Sequence, residues 1–308
     1  MKILFVYRGF GPSLKNPVVD AQANSLVEAG IEIVSFPIQN GGFEYFKSLF
    51  KIRRLIKKNN FDLVHGHYSY SAIIAYFAHS KKTIASLMVG DIDPQTQNII
   101  LRKIALFFSN YIWSKTIVKS ERMKKMIPNS TVIPNGINFD IFKFIDKKTA
   151  IKKVGFKKRV NIIFLAQQPE KHTWKNLGLA KKAVKLLNNK DVELHVLKDI
   201  PQKELYYYYC AADLMLQTSS LEGSPNIIKE AMACNCPIVT TDCGDSKKNV
   251  EFTEGCYIIS FDVNDIVEKI KLALAFGKRT KGRKDIRHLE SKNISQKVIK
   301  LYKSVLEK

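Results

Sequence analysis

Short apolar runs that alternate with helical patterns over almost the whole chain are the feature that most limits its fold. The first set begins with the strand-like "KILFVY". It continues through "NPVVDAQANSLVEAG", a helix with Pro17 near its start and Gly30 as its stop. "IEIVSFPI", the amphipathic "FEYFKSLFKIRRLIKK", "FDLVHGH", "SYSAIIAYFAHS" and "KTIASLMV" follow in strict alternation, and "SKTIVKS" and "STVIPNG" close the set. Near-continuous apolar strands separated by helices predict a parallel sheet covered on both faces. After the lysine-rich "DKKTAIKKVGFKKR" the pattern resumes with "VNIIFLA", "VELHVLK", "DLMLQT", "PIVTTD" and "CYIIS", separated by helical stretches such as "NLGLAKKAVKLL". The expectation is a chain of two similar open α/β domains, residues 1–145 and 146–290, and a closing helix over 291–308. In such sheets ligands bind at the carboxyl ends of the strands, so chemistry is sought in the loops there.

With 45% apolar residues, both domains can be packed. The formal net charge is +22, which draws the chain to anionic matter: phosphorylated small molecules, an anionic membrane surface or nucleic acid. Lysines spread along the whole chain account for much of that excess as an ordinary solvated surface. Five cysteines, with Cys234 and Cys236 too close for a zinc knuckle, read as buried thiols in a reducing compartment. The apolar start is too short for a signal peptide, and no run approaches the roughly 20 residues of a bilayer helix, so a cytoplasmic location is expected.

The stretch "SLEGSPNIIKEAMACNCPIV" holds Glu222 in a Gly-Pro loop after a strand and Glu230 on the helix that the loop starts. Free amides at a helix start attract anions, and glycine admits a ligand to the backbone. Carboxylates accept well from diols, so two of them flanking such a start fit a ligand with two polyol ends and phosphates between: a nucleotide sugar. The plain alternative makes Glu222 a helix-start acid and Glu230 a solvated helix residue.

"EGSPNIIKEAMACNCPIV" resembles the glutamate–seven–glutamate motif of family 4 retaining glycosyltransferases, which have two facing Rossmann-like domains, the GT-B fold. "FDLVHGHYS", "VIPNGINFDIF", "AADLMLQTSSLEGSPN" and "PIVTTDCGDSKKNVE" resemble further segments of that family in the same order, so the resemblance spans nearly the whole chain. It implies that Glu222 meets the hydroxyls of the donor sugar, that the amides of Gly223, Ser224, Pro225 and Asn226 approach sugar and phosphates, and that Glu230 holds the ribose. It also implies a closing helix that crosses back to the first domain. The family's arginine and lysine for the diphosphate correspond to a segment reading "FLAQQPEKHTWKN", where Ala166-Gln167 replaces glycine-arginine and Lys171 and Lys175 are the available cations. A lysine is a point charge rather than a fork.

The first domain departs further. Asp91 stands in "SLMVGDID", where the family often has a histidine, and is taken as a polar group at the reacting sugar. "RGFGPSLKNP" leaves Gly9 and Gly11 as weaker sites of backbone approach to the donor. His65 and His67, two apart on a strand, read either as a metal pair or as packed, hydrogen-bonding histidines. No further ligand completes a metal site, and His67 is retained as an acceptor-side residue. In "FEYFKSLFKIRRLIKK", Lys47, Lys51, Arg54 and Lys58 form one stripe and Phe46, Leu49 and Ile56 another. Such a helix covers a sheet with its apolar face, and its basic face could sit near anionic lipid. Tyr206 to Tyr209 read as core and rim packing.

The expectation is thus a metal- and cofactor-independent retaining hexosyltransferase, peripheral on the inner face of the plasma membrane. It takes a UDP- or GDP-sugar and adds the sugar to a glycan or lipid-linked acceptor in cell-surface polysaccharide biosynthesis. The alternatives are another nucleotide-sugar enzyme such as an epimerase, for which no acid/base pair is found, and a basic nucleic-acid-binding protein, for which no recognition pattern is found. A dinucleotide-dependent dehydrogenase lacks its G-x-G-x-x-G after the first strand.

Overall fold

The computed structural model describes residues 1–39, 41–78, 82–157, 159–166 and 173–307. The chain divides into two compact units, Met1–Gly136 with Ser291–Lys308, and Ile137–Glu290. Unit 1 runs β1 (Lys2–Arg8), α1 (Pro17–Glu28), β2 (Glu32–Ile38), α2 (Gly42–Lys58), β3 (Leu63–His67), α3 (Ser69–Ala78) and β4 (Thr83–Ser86). It continues with α4 (Val89–Ile92), α5 (Ile99–Phe107), a π-helical turn (Phe108–Ile112), β5 (Lys115–Val118), α6 (Glu121–Met126) and β6 (Thr131–Val132). Unit 2 contains α7 (Lys147–Val154), β7 (Val160–Leu165), a 3-10 turn (Thr173–Lys175), α8 (Leu177–Leu186), β8 (Val192–Leu197) and α9 (Leu205–Ala211). Then come β9 (Leu214–Gln217), α10 (Asn226–Ala233), β10 (Ile238–Thr241), α11 (Ser246–Val250), β11 (Cys256–Ile259), α12 (Val263–Ala275) and α13 (Gly282–Asp285), before α14 (Ser291–Leu306) returns to unit 1.

Both sheets are parallel, ordered β2-β1-β3-β4-β5-β6 and β8-β7-β9-β10-β11, so the units share one winding. Parallel strands need crossovers, which are right-handed, so the order of the strands decides the face on which each helix lies. In unit 1 one face is covered by α2, α3, α5 and α6, as the buried clusters around Ile52, Ala75, Ala105 and Met123 show. The opposite face takes α1 and α14: Ser25 of α1 donates to the Ser291 carbonyl at 3.0 Å and bonds the Ser295 hydroxyl. On that side Tyr302 of α14 bonds His65 of β3 at 2.6 Å. The closing helix therefore packs on the first unit, as the family resemblance implies.

Two elements are shorter than their sequences predict. β4 stops at Ser86 because the Asp91 carboxylate accepts from the Met88 amide (2.8 Å) and pulls "MVGD" into the turn of α4. Only Thr131 and Val132 of "STVIPNG" remain in the sheet, as an edge strand. On α2, Phe46 does not join Leu49 and Ile56 against the core: it is 58% exposed, and Ile52 is the residue fully buried there. The cysteines are free thiols; four are buried and Cys256 is half-buried.

Gly66 in the middle of β3 admits α3 at van der Waals distance, since a Cβ there would stand 2.3 Å from the Ala72 Cα. Gly66→Ala should destabilise unit 1 by about 1–3 kcal/mol through overpacking. Gly90→Ala, which meets nothing within 4 Å, should be neutral. Chemical denaturation of the two variants would check this; equal stabilities would contradict the packing.

Candidate active site

In unit 2 the chain leaves β7 toward β8 and leaves β9 toward β10. The loops after β7 and β9 therefore part and open a crevice at the carboxyl end of the sheet. The 3-10 turn Thr173–Lys175 and the loop from Thr218 to Pro225 lie there. They are tied together. The Thr218 hydroxyl donates to the carbonyls of Lys175 (3.1 Å) and Asn176 (2.9 Å), and the Ser220 amide donates to the Trp174 carbonyl (2.8 Å). Asn176 takes a left-handed conformation (φ 54°), which ends the turn and starts α8. The result places Lys175 Nζ 2.5 Å from Glu222 Oε1, with both side chains partly exposed.

The same loop delivers the chain into α10. Gly223, Ser224 and Pro225 are buried, and the loop turns against the following one, where Gly244 (φ 63°) leaves no room for a Cβ: it would meet the Gly223 carbonyl oxygen at 2.7 Å. Ser224 is held from both sides. Its hydroxyl donates to Asp245 Oδ2 (2.7 Å) and accepts from Lys229 Nζ, itself 3.5 Å from Asp245. Lys229 is fully buried, and burial pulls its pKa down against the opposing pull of Asp245. The Ser224 side chain is thus occupied, which leaves the loop backbone as what it can offer a ligand. Asn226 is the first residue of α10.

Glu230, on the next turn of α10, is 5% exposed and accepts a hydrogen bond from the Tyr209 hydroxyl at 2.8 Å. Burial pushes its carboxyl pKa up to about 7, opposed by the Tyr209 bond and by Lys175, Lys229 and Gln202. Tyr209 of α9, read from sequence as packing, is buried and is also this carboxylate's partner. No pattern in the sequence distinguishes it within the run of four tyrosines. Lys229 and Asp245 were equally silent, one in an apolar helix and the other in a polar loop. Lys171 and Gln167 lie outside the described residues.

Unit 1 uses its proposed site residues internally. Asp91 is 5% exposed and accepts from the Ser69 amide (2.9 Å), the Ser69 hydroxyl (2.7 Å) and the Met88 amide. Burial raises its pKa while these bonds lower it. Its two oxygens fasten α3 to α4. His65 and His67 stack at 4.2 Å between ring centroids, both fully buried. His65 is hydrogen-bonded by Tyr302 and, at 2.8 Å, by Ser86, whereas neither ring nitrogen of His67 has a partner among the described residues. Burial holds both rings neutral, His65 down to about 3. Enclosed in this way, His67 presents no atom to an acceptor. The described residues hold no group of three metal-binding side chains. Gly11 (φ 62°) is exposed and turns the loop after β1, with the Leu14 amide donating to its carbonyl at 3.2 Å.

Comparison with known proteins agrees with this architecture. Residues 15–120 match the family model described as "Glycosyl transferase 4-like", and residues 150–275 that described as "Glycosyl transferases group 1". Among solved structures, sucrose-phosphate synthase from Thermosynechococcus elongatus superposes with a TM-score of 0.79 at 15% identity over 100% of both chains. Anabaena HepE, in complex with UDP and glucose, gives 0.79 at 15% identity over 99% of this chain and 100% of its own. A trehalose-phosphate synthase (UDP-forming) from Burkholderia vietnamiensis gives 0.75 at 9% identity, covering 99% and 97%. No curated protein matches the chain. Two parallel α/β units of this winding form the GT-B fold. The chain belongs to the group 1, family 4 glycosyltransferases.

The raised pKa of Glu230 makes a prediction about stability. Its folded value, about 7, lies above the ordinary 4.5, so the folded state binds the proton more tightly. Stability therefore falls as pH rises through that window, and the whole cost is present above about 7. Glu230→Gln keeps an acceptor for Tyr209 and removes the charge. It should raise the unfolding free energy at pH 8 by an amount on the order of 1–3 kcal/mol and change little at pH 4.5. Thermal unfolding at the two pH values measures this; a variant less stable at pH 8 would show the carboxylate to be a net stabiliser.

Proposed function

We propose that this glycosyltransferase moves a hexose, with retention of anomeric configuration, from a UDP- or GDP-sugar to a hydroxyl of a glycan or lipid-linked acceptor in cell-surface polysaccharide biosynthesis. The observation that carries the reading is the Lys175–Glu222 pair at the crevice of unit 2, with Glu230 on the helix that follows. Glu222 accepts from the sugar hydroxyls and faces a ring that becomes cationic as the glycosidic bond breaks. The departing diphosphate gains negative charge at the same moment, and Lys175 with the amides at the start of α10 favours that charge. Lys171 is proposed as the second cation. Glu230 accepts from the ribose diol, and does so better ionised, so nucleotide affinity should climb between pH 6 and 8. Asp91 serves by shaping the loops of unit 1. The reading calls for no metal or cofactor. A UDP-sugar donor is supported by HepE, whose structures hold UDP with glucose and UDP-glucose.

A panel of UDP- and GDP-sugars tested for binding and hydrolysis checks the donor, and the anomeric coupling of the transferred sugar checks retention. Glu222→Gln should cut turnover by at least about a hundredfold while the bare nucleotide diphosphate binds nearly as before. Glu230→Gln should weaken nucleotide diphosphate and nucleotide sugar alike, by about 1.5–3 kcal/mol. Loss of nucleotide affinity in Glu222→Gln alone would reverse the two roles, and a chain that binds no nucleotide sugar would end the reading.

Membrane association is proposed for the outer surface of α2. No helix among the described residues is long and apolar enough to cross a membrane. The exposed side of α2 carries Lys47, Lys51, Arg54 and Lys58 beside the exposed Phe43, Phe46 and Phe50, a mixture that suits an anionic lipid interface. Exchanging the four basic residues for glutamine should weaken binding to phosphatidylglycerol vesicles while leaving donor hydrolysis unchanged, each charge contributing about 1 kcal/mol near such a surface. Unchanged co-sedimentation would return α2 to an ordinary solvated face.

A further inference from the structure

Unit 1 repeats the winding of unit 2, so it has a crevice of its own, where the chain leaves β1 toward β2 and leaves β3 toward β4. The two strands that flank it end on Arg8 and His67. Arg8 is half-buried, and its guanidinium takes part in no hydrogen bond or ion pair among the described residues; Nε is buried and unpartnered. Among the described residues its guanidinium lies over the Phe10 ring, 5.3 Å from the centroid. The carboxylates around it are engaged elsewhere, Asp91 by Ser69 and Met88, and Asp20 by Tyr7 and the Asn16 amide. The charge of Arg8 is felt by the hydroxyls of Tyr45 and Tyr68. Tyr45 stands against Tyr70 at 5.9 Å, and Tyr70 is 40% exposed.

The buried Nε of Arg8 has no partner among the described residues, and a ligand oxyanion at the crevice would supply one. Arginine recognises planar oxyanions through paired N–H donors, and tyrosines offer both hydroxyl donors and ring faces on which a sugar lies. We propose that the crevice of unit 1 binds an oxyanion carried by the acceptor, a carboxylate or a phosphate on a sugar ring, and that Arg8 is the residue that recognises it. This rests on the transferase reading above, with unit 1 as the acceptor side.

Calorimetry on the full chain with glucuronate, glucose 6-phosphate and glucose, each with and without saturating UDP, tests the proposal. UDP occupies the diphosphate site of unit 2, so charged sugars bound in its presence report on another site. At least one charged sugar should bind about tenfold or more tightly than glucose, and the stronger of the two identifies carboxylate or phosphate as the group read. Arg8→Gln should remove that preference, Arg8→Lys should retain part of it, and both should keep the affinity for UDP. Arg8→Gln should also leave the melting temperature unchanged or raised, because it removes a charge that has no partner. Equal binding of glucose and the acids, an undiminished preference in Arg8→Gln, or a lowered melting temperature in that variant would overturn the assignment. UDP binding without any preference for acids sinks this site and leaves the transferase reading standing. Acid binding through Arg8 with neither UDP nor GDP bound does the reverse.

Discussion

Parallel pairing of every strand is the constraint on which the rest depends. Adjacent strands that run the same way cannot be joined by tight turns, so each is followed by a helix and a return across the sheet. All the loops after strands consequently gather at one end. Where successive crossovers move in opposite directions, between β7 and β9 and again between β1 and β3, two of those loops diverge. Lys175, Glu222 and Arg8 stand at those divergences because of the winding. Their chemistry comes from which side chains the loops carry there.

The crevice of unit 2 is built on buried charge. Lys229 and Asp245 clamp Ser224, and through it the loop carrying Glu222; Glu230 is held against Tyr209 one turn along. Burying these groups weakens the fold, since each charged form loses water that its partners only partly replace. The arrangement makes sense as positioning: a loop whose backbone must approach a ligand is fixed by groups below it, and its outer surface stays free. Two arginines stiffen the same region. Arg279 donates to the carbonyls of Ala212, Tyr209 and Cys234, and Arg283 to those of Phe142, Ala233 and Phe139, gathering chain ends that α9 and α10 leave open.

The strands and helices were legible because short continuous apolar runs and 3.6-residue repeats follow directly from how each element buries its surface. The two glutamates were legible because their spacing about a Gly-Pro turn is a local matter. Asp91 shows the complementary case: its partners, Ser69 and Met88, include one twenty-two residues away, and only the fold brings it there. His67 looked available because a polar residue at a strand end often is, yet stacking on His65 under α14 encloses it. Phe46 looked buried because it is apolar, and its exposure follows from where Ile52 sets the core side of α2. Contacts within about four residues can be read from sequence. Partners brought together by crossovers cannot.

The two crevices differ in how their cation is kept when no ligand is bound. Lys175 is neutralised by Glu222, so a donor does not have to meet an unshielded charge. In the proposed donor complex it would exchange one set of partners for another, sugar hydroxyls for the carboxylate and phosphate oxygens for the ammonium. That favours discrimination over raw affinity, since a ligand that satisfies one partner and leaves the other bare loses the whole exchange. Arg8 has no such internal counterpart and depends on an aromatic ring and solvent. A ligand that brings its own anion gains there without breaking any existing pair, so on electrostatic grounds the crevice of unit 1 should discriminate by charge where that of unit 2 discriminates by geometry.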